Sequence, residues 1–261
     1  PASAAEGAGF PLTVDANCLG LTAQAYRLTV TPQSCRIEAS DPAGAFYGRM
    51  TLRQLTRLCP DGLPCGVIED SPDIPIRGVM LGISRDKVPT MATLYMLVDM
   101  FAEWKVNHIQ LYMEHTFAYR NHWDVWAEAS PLTAEEIRAL DTYCRERFIE
   151  LAPNQNTFGH CERWLKHARY RDLAECPDGF QRPDGTWRAP TTLDPTNPAS
   201  FALVAELLAE LLPNFTSHHL HIGCDETWEL GKGRSRPAVE GLGLGRVYCD
   251  HLGKLKQLAA A

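Results

Sequence analysis

"TLYMLVDMFAEWKVNHIQLYM", Thr93 to Met113, decides how the chain is read. Its first part places Leu94, Leu97, Val98, Phe101 and Trp104 on one helical face, the period of an amphipathic helix. Its last part, "HIQLYM" (108–113), is a short apolar run that suits a buried strand. A helix delivering the chain into a strand after a short turn is the return half of a crossover unit. The same alternation extends in both directions. Upstream, "IRGVML" (76–81) reads as a strand. Downstream, Thr133 and Glu136 form a capping box that opens a helix carrying Ile137, Leu140, Cys144 and Phe148. "FIELAPN" (148–154) is the third strand. Asn197 and Pro198 suit an N-cap and first helical residue, followed by Phe201, Val204, Leu207, Leu208 and Leu211 on one face. "HHLHIG" (218–223) is the fourth strand, and "RVYCDHLGKLKQLAA" (246–260) a last helix.

Four βα units in succession predict an α/β fold with parallel strands and crossover helices. They suit half of a (β/α)8 TIM barrel or a small open sheet, and no short-period repeat competes with that reading. Residues 1–72 differ in texture. "AYRLTVT" and "CRIEAS" alternate like two strands around the turn residues "PQS". "GAFYGRMTLRQLTRL" then spaces Phe46, Met50, Leu52, Leu55 and Leu58 as a helix packed on a sheet. The expected organisation is a small α+β domain over 1–72 and a partial barrel over 73–261.

Composition excludes several classes. Hydrophobic residues make up 45% and charged residues 22%, ordinary for a globular chain able to bury a core. The net charge of -7, without a basic cluster, argues against nucleic acid or an anionic membrane as partner. No apolar run is long enough to span a membrane. The nine cysteines are odd in number and scattered, without a CxxC pair, so a zinc knuckle is not expected. Read as mostly reduced, they favour an intracellular, bacterial cytoplasmic setting over secretion. Asn214-Phe215-Thr216 fits a glycosylation acceptor, a match short enough to arise by chance.

Chemistry in such folds sits past the carboxyl ends of the strands. Strand one carries Arg77 near its start and "GISRDK" after it; strand two ends in Glu114 and His115; strand three runs into "NQNTFGH", ending at His160. Strand four ends in Asp225 and Glu226, with Trp228 just beyond. Carboxylates, a guanidinium and aromatic faces together suit a sugar. Each has a plainer reading alone: Arg77 as an ion-paired arginine, His115 and His160 as structural imidazoles, Trp228 as packing. Asp225-Glu226 alone suits a helix N-terminus. The same bias at all four strand ends favours a site.

These residues also carry a resemblance. "HIGCDE" (221–226) is similar to the H-x-G-G-D-E signature of family 20 glycoside hydrolases, the β-N-acetylhexosaminidases, with Cys224 for the second Gly. "RGVMLGISR" (77–85) resembles the family's R-G-x-x-x-D-x-x-R, with Gly82 where Asp is usual. "FGH" (158–160) resembles P-G-H after strand three, "KVNHIQLYMEH" the second strand, and "GAFYGRMTLRQL" the end of the preceding small domain. "LYMEHTFAY" and "DETWELGKGR" resemble the smaller bacterial members.

The resemblance implies removal of a terminal β-linked N-acetylhexosamine, with an oligosaccharide or glycoconjugate as partner and no metal or other cofactor. Most retaining glycosidases set a nucleophile about 5 Å from the acid, whereas this family uses the substrate's own acetamide. Glu226 is then the general acid and later the base, a role favoured by partial burial and the like charge beside it. Asp225 would orient the acetamide, Arg77 would grip sugar hydroxyls, and His160 with Glu114 or His115 would support the acid. His115 stands where many relatives carry Asp. The family's later strands supply further pocket walls, so a four-unit chain implies an open half-barrel that self-associates, for instance as a dimer. Two other readings stay open: a sugar-binding remnant without turnover, and a metal-dependent barrel hydrolase using Asp225, Glu226, His115 and His160.

Overall fold

A computed structural model of the chain describes residues 11–18, 20–85, 87–182 and 184–260. Two compact units emerge. One holds the chain through Val79 with Ala92–His108 and Tyr143–Glu150; the other holds Met80–Met91, Ile109–Thr142 and the chain from Leu151 onward.

In the first unit, strands β1 (Leu12–Asp15), β2 (Tyr26–Val30) and β3 (Cys35–Ala39) precede helix α1 (Pro42–Leu58) and strand β4 (Gly66–Asp70). The sheet runs β1-β3-β2-β4, with β1 parallel to β3 and β2 antiparallel to both neighbours. Alternation in β2 and β3 buries Tyr26, Leu28, Val30, Cys35, Ile37 and Ala39 against Ala45, Tyr47 and Leu52 of α1. Asp41 caps α1: its carboxylate accepts from Gly44 N at 2.8 Å and from Gln24 N at 2.7 Å, and Pro42 supplies the first turn.

Of the expected α1 face, Leu52 is buried against the sheet and Phe46 and Leu55 pack on the same core. Gly44 and Gly48 lie in the contact, and a Cβ at Gly48 would stand 2.8 Å from Ile37 Cγ2. Backbone lies close to the sheet at these glycines, and Leu58 is left 78% exposed.

Strand β5 (Gly78–Gly82), helix α2 (Met91–Glu103), strand β6 (His108–Met113), the short helix α3 (Trp123–Trp126), helix α4 (Ala134–Arg145) and strand β7 (Glu150–Gln155) follow. The strands form a sheet in the order β5-β6-β7. Leu94, Val98 and Phe101 are buried as expected, but α2 stops at Glu103 because Lys105 takes φ 59°, and Trp104 is exposed. Phe148 likewise adopts φ 56°, so β7 begins at Glu150 rather than at 148. The capping box forms: Thr133 N donates to Glu136 Oε2 at 2.8 Å and Glu136 N to Thr133 Oγ1 at 3.2 Å.

The rest of the second unit comprises the short helix α5 (Glu162–Leu165), a two-residue hairpin β8 (Phe180–Gln181) and β9 (Trp187–Arg188), then helices α6 (Pro198–Leu211), α7 (Arg236–Leu242) and α8 (Leu244–Ala260). Asn197 caps α6, accepting from Ala199 N at 2.9 Å. Asn214 is buried and its amide donates to the Glu210 and Leu211 carbonyls, so it is a helix-end anchor rather than a glycan acceptor.

The expected fourth strand is the main departure. Residues 218–223 make one parallel bridge, His221 with Asn154, supported by Gln155 N to His221 O at 3.0 Å and His221 N to Pro153 O at 2.9 Å. Extended pairing stops there because Gly223 (φ 68°) and Cys224 (φ 82°) are left-handed. Among the described residues the α/β part is therefore a three-stranded sheet with one bridged segment, not four full βα units.

Helix α8 packs His251 onto Phe158, with ring centroids 3.9 Å apart, and onto Phe201 at 4.9 Å. Burial first, then Lys254, lowers this imidazole from 6.5 to about 4. Unfolded, it takes up a proton below 6.5; folded, it stays neutral until about 4. Its contribution is thus complete above 6.5 and lost as pH falls to about 4, worth about 3 kcal/mol at most. Thermal melts followed by circular dichroism should show the midpoint falling across that window, and His251→Phe should flatten the fall.

Candidate active site

Four segments meet in the second unit past the ends of β5, β6, β7 and the bridged residue His221. His160 is the centre. Its Nε2 lies 3.3 Å from Asp225 Oδ2 and 3.6 Å from Glu226 Oε2. Its Nδ1 faces Arg85 Nη2 at 3.4 Å. A guanidinium only donates, so Nδ1 accepts and Nε2 carries the hydrogen directed at the acids. Arg85 Nε also meets Glu114 Oε1 at 3.0 Å, and the Tyr112 hydroxyl donates to the same oxygen at 3.0 Å. Glu114 is buried beneath this array, and burial pushes its carboxyl up against the opposing pull of Arg85. Burial, then the Glu114 charge, raises the Tyr112 phenol to about 12. Ser84 Oγ accepts from Glu114 N at 2.7 Å, tying the end of β5 to the end of β6.

The backbone that presents the acids is bent against its usual preferences. His160 has φ 53°, Cys224 φ 82° and Glu226 φ 50°. Each left-handed residue other than Gly costs about 1–2 kcal/mol, and such strain gathers where structure holds side chains for use. Two glycines make the arrangement possible. A Cβ at Gly159 would collide with the Asp225 carbonyl oxygen, and one at Gly223 with the Asn156 side chain. Cys224 keeps a thiol where the signature has Gly; it is buried against Thr157 Oγ1 at 3.5 Å, and Tyr248 of α8 donates to its carbonyl at 2.8 Å.

Two buried carboxylates clamp the surrounding loops. Glu229 Oε1 accepts from Thr191 N at 2.5 Å, Thr191 Oγ1 at 2.8 Å and Thr192 N at 3.2 Å. Thr191 O accepts in turn from Cys161 N, and Leu193 N donates to Phe158 O, so Glu229 holds the segment that carries His160. Burial raises the Glu229 carboxyl to about 7 despite those donors. Glu175 does the same for the next turn, accepting from Ser235 N, Ser235 Oγ and Gly233 N.

The structure brings together Glu114, His160, Asp225 and Glu226 of the expected residues. Both acids stand open, with side chains 61% and 54% exposed, so the partial burial expected for Glu226 is not found among the described residues. Trp228 lies two residues on, its N–H donating to Glu226 O at 2.8 Å, with its side chain largely exposed.

Arg77 and His115 are placed elsewhere. Arg77 belongs to the first unit, where its guanidinium donates to the Lys105, Ile74 and Pro75 carbonyls and to Gln24 Oε1, and covers the Tyr47 ring. Those contacts occupy its donors. Arg85, which lies at the end of the quoted motif and was given no role of its own, follows the carboxyl end of β5, whereas Arg77 precedes the strand. His115 is buried in a neighbouring cavity rather than beside the acids, and burial, then Arg163 and Lys166, lowers it to about 4. Among the described residues no three His, Cys, Asp or Glu side chains gather as metal ligands, so the set of Asp225, Glu226, His115 and His160 weighed as a metal site does not assemble.

Residues 75–240 match the family model "Glycosyl hydrolase family 20, catalytic domain", and residues 3–71 match "Glycosyl hydrolase family 20, domain 2". A β-hexosaminidase of Akkermansia muciniphila is 31% identical over 239 residues, covering 80% of this chain and 47% of that protein. A β-hexosaminidase of Vibrio furnissii is 28% identical, covering 77% of this chain and 37% of its own length. A crystal structure of a β-N-acetylhexosaminidase superposes with a TM-score of 0.80 at 27% identity, covering 95% of this chain and 59% of that one. The chain thus spans less than half the length of these two curated relatives.

The Glu229 clamp is open to test. Glu229→Ala leaves the Thr191 and Thr192 N–H groups buried without partners, at roughly 1–3 kcal/mol each. Urea denaturation should show a loss of about 3 kcal/mol, whereas Glu229→Gln, which keeps an acceptor oxygen, should lose less than half of that.

Proposed function

This chain belongs to glycosyl hydrolase family 20, and on that premise we propose that it acts on terminal, non-reducing β-linked N-acetylhexosamine in oligosaccharides or glycoconjugates. One observation carries the reading of mechanism: Asp225 and Glu226 both reach the same nitrogen of His160. Carboxylates on one side of a site do not flank a glycosidic bond as an acid and a protein nucleophile must. The arrangement instead supports substrate assistance.

In this reading Glu226 gives its proton to the leaving oxygen as the C1–O bond breaks. The substrate's acetamide oxygen bonds to C1 from the other face, forming an oxazolinium ion. Asp225 accepts the acetamide N–H, aims the oxygen and stabilises the positive charge that develops. Glu226, now ionised, takes a proton from water, whose oxygen opens the oxazolinium at C1 with retention. His160 positions both acids through Nε2, and Glu114 positions His160 by way of Arg85. Arg85 takes the hydroxyl-gripping role first expected of Arg77, because its half-open guanidinium stands beside the acids' imidazole. Trp228 offers an exposed aromatic face to the sugar ring. Gly82 has open space around it, so the polar anchor usual there is missing rather than excluded by packing. The division of the chain is proposed to fall between residues 72 and 73.

Hydrolysis of an aryl N-acetyl-β-glucosaminide should fall at least a hundredfold in Glu226→Gln and in Asp225→Asn, with thermal stability retained. Absence of turnover in the wild type, together with binding of an N-acetylglucosamine thiazoline, would instead identify a sugar-binding remnant. Self-association is proposed as well, supported by Met80, 52% exposed on the edge strand β5. Light scattering at micromolar concentration should find species above the 29.1 kDa monomer; a monomer alone refutes that part.

A further inference from the structure

Arg85, the neighbour of His160, also lines a cavity of about 420 Å³ in the second unit, and the cavity's charge is opposite to that of the chain as a whole. Among the described residues, Arg85, Lys87, Arg163 and Lys166 line it, against one carboxylate, Glu128. The chain overall carries -7. Among the described residues, Lys87, Arg163 and Lys166 have no carboxylate within ion-pair distance; Arg85 alone has one, Glu114. His115 projects into the same cavity, is only 6% exposed, and its Nδ1 has no hydrogen-bond partner. A buried, unpartnered ring nitrogen beside three unpaired cations is costly unless something polar is meant to meet it.

We propose that this cavity is a subsite for a tetrahedral oxyanion, a sulfate or phosphate ester carried by the glycan whose N-acetylhexosamine occupies the acid pair. The inference rests on the reading of the site as a hexosaminidase. Its geometry comes from Arg85, which lines the cavity while holding Glu114 and His160, so a sugar gripped there has its substituents directed at Lys87, Arg163 and Lys166. The cavity exceeds what a bare ion needs, which suits an ester on a sugar rather than a free anion. Bringing an oxyanion in satisfies several donors at once, since charge-assisted hydrogen bonds are the strong class. It also supplies a negative neighbour to His115, whose imidazole is held neutral by burial and by Arg163 and Lys166.

The test uses the chain as it is and the double substitution Arg163→Gln/Lys166→Gln, both away from the acid pair. Inorganic sulfate and inorganic phosphate are titrated separately at constant ionic strength, following the His115 ring resonances by NMR. A saturable shift that the double variant weakens at least tenfold is expected. No saturable shift, or the same shift with chloride, overturns the subsite. Kinetics then separate the two esters and the two readings. The 6-sulfate and the 6-phosphate of an aryl N-acetyl-β-glucosaminide are compared with the neutral glycoside. The subsite requires kcat/KM for at least one ester to exceed the neutral value about tenfold, with the excess lost in the double variant and the neutral rate unchanged. The larger excess identifies the ester. Turnover of all three at equal rates overturns the subsite and leaves the hexosaminidase reading intact. Saturable anion binding without any Glu226-dependent turnover overturns the hexosaminidase reading and leaves the oxyanion site.

Discussion

The acid pair depends on a missing atom. The Asp225 carbonyl lies where a β-carbon on Gly159 would have to be, so two chain segments touch backbone to backbone. This contact brings the His160 imidazole within reach of both carboxylates without a long side chain to bridge the gap. It also dictates the local conformations. Gly223 and Cys224 must turn left-handed to bring the chain over Gly159, and His160 and Glu226 follow suit. Nothing so strained persists unless its surroundings fix it. Here the fixing groups are the Glu229 carboxylate on one side and Tyr248 of α8 on the other.

That division of labour explains why the unit contains carboxylates of two kinds. Glu175 and Glu229 are fully buried and accept from loop N–H groups and hydroxyls, Glu229 through Oε1 alone, giving loops without regular structure a defined path. Asp225 and Glu226 are exposed, and among the described residues their carboxylates meet the His160 imidazole. Polar groups out of water are tolerated when hydrogen-bonded, and those left in water remain available for chemistry. Glu114 lies between the two: its backbone is tied into the sheet ends while its carboxylate serves Arg85 and Tyr112.

Much of this was legible in the sequence. The helix and strand periods located α2, α4, α6, α8, β6 and, within two residues, β5 and β7, because burial of one face is what fixes those periods. The capping residues Thr133, Glu136 and Asn197 act as expected. The concentration of polar groups at strand ends led to Glu114, His160, Asp225 and Glu226. What was lost has physical reasons. The fourth strand fails at two consecutive left-handed residues, Gly223 and Cys224, and the only hint at the second was the glycine that the signature has in place of Cys224. The α1 pattern found Phe46, Leu52 and Leu55 but not Gly44 and Gly48, because no hydrophobic pattern counts glycines in a contact. Two of the three donors to Glu229 are backbone groups 37 and 38 residues away, and backbone groups carry no letter in a sequence. The motif's letters do not say which of its arginines lies past the strand; the structure has Arg77 before β5 and Arg85 after it.

The strained Cys224 has a chemical side. Burial raises its thiol to about 11, and that of Cys176 to about 12. Cys161, fully enclosed, is pushed up as well. Sulfur reacts as thiolate, so these three are poor nucleophiles despite lying around the loops that hold the acid pair. Among the described residues all nine cysteines are free thiols, and only Cys65 and Cys249 are classed as exposed. The odd count is therefore no problem of unmatched pairing. The region around the acids is built with sulfur as a filler of small gaps, and the burial that packs the unfavourable turn is also what keeps these thiols protonated.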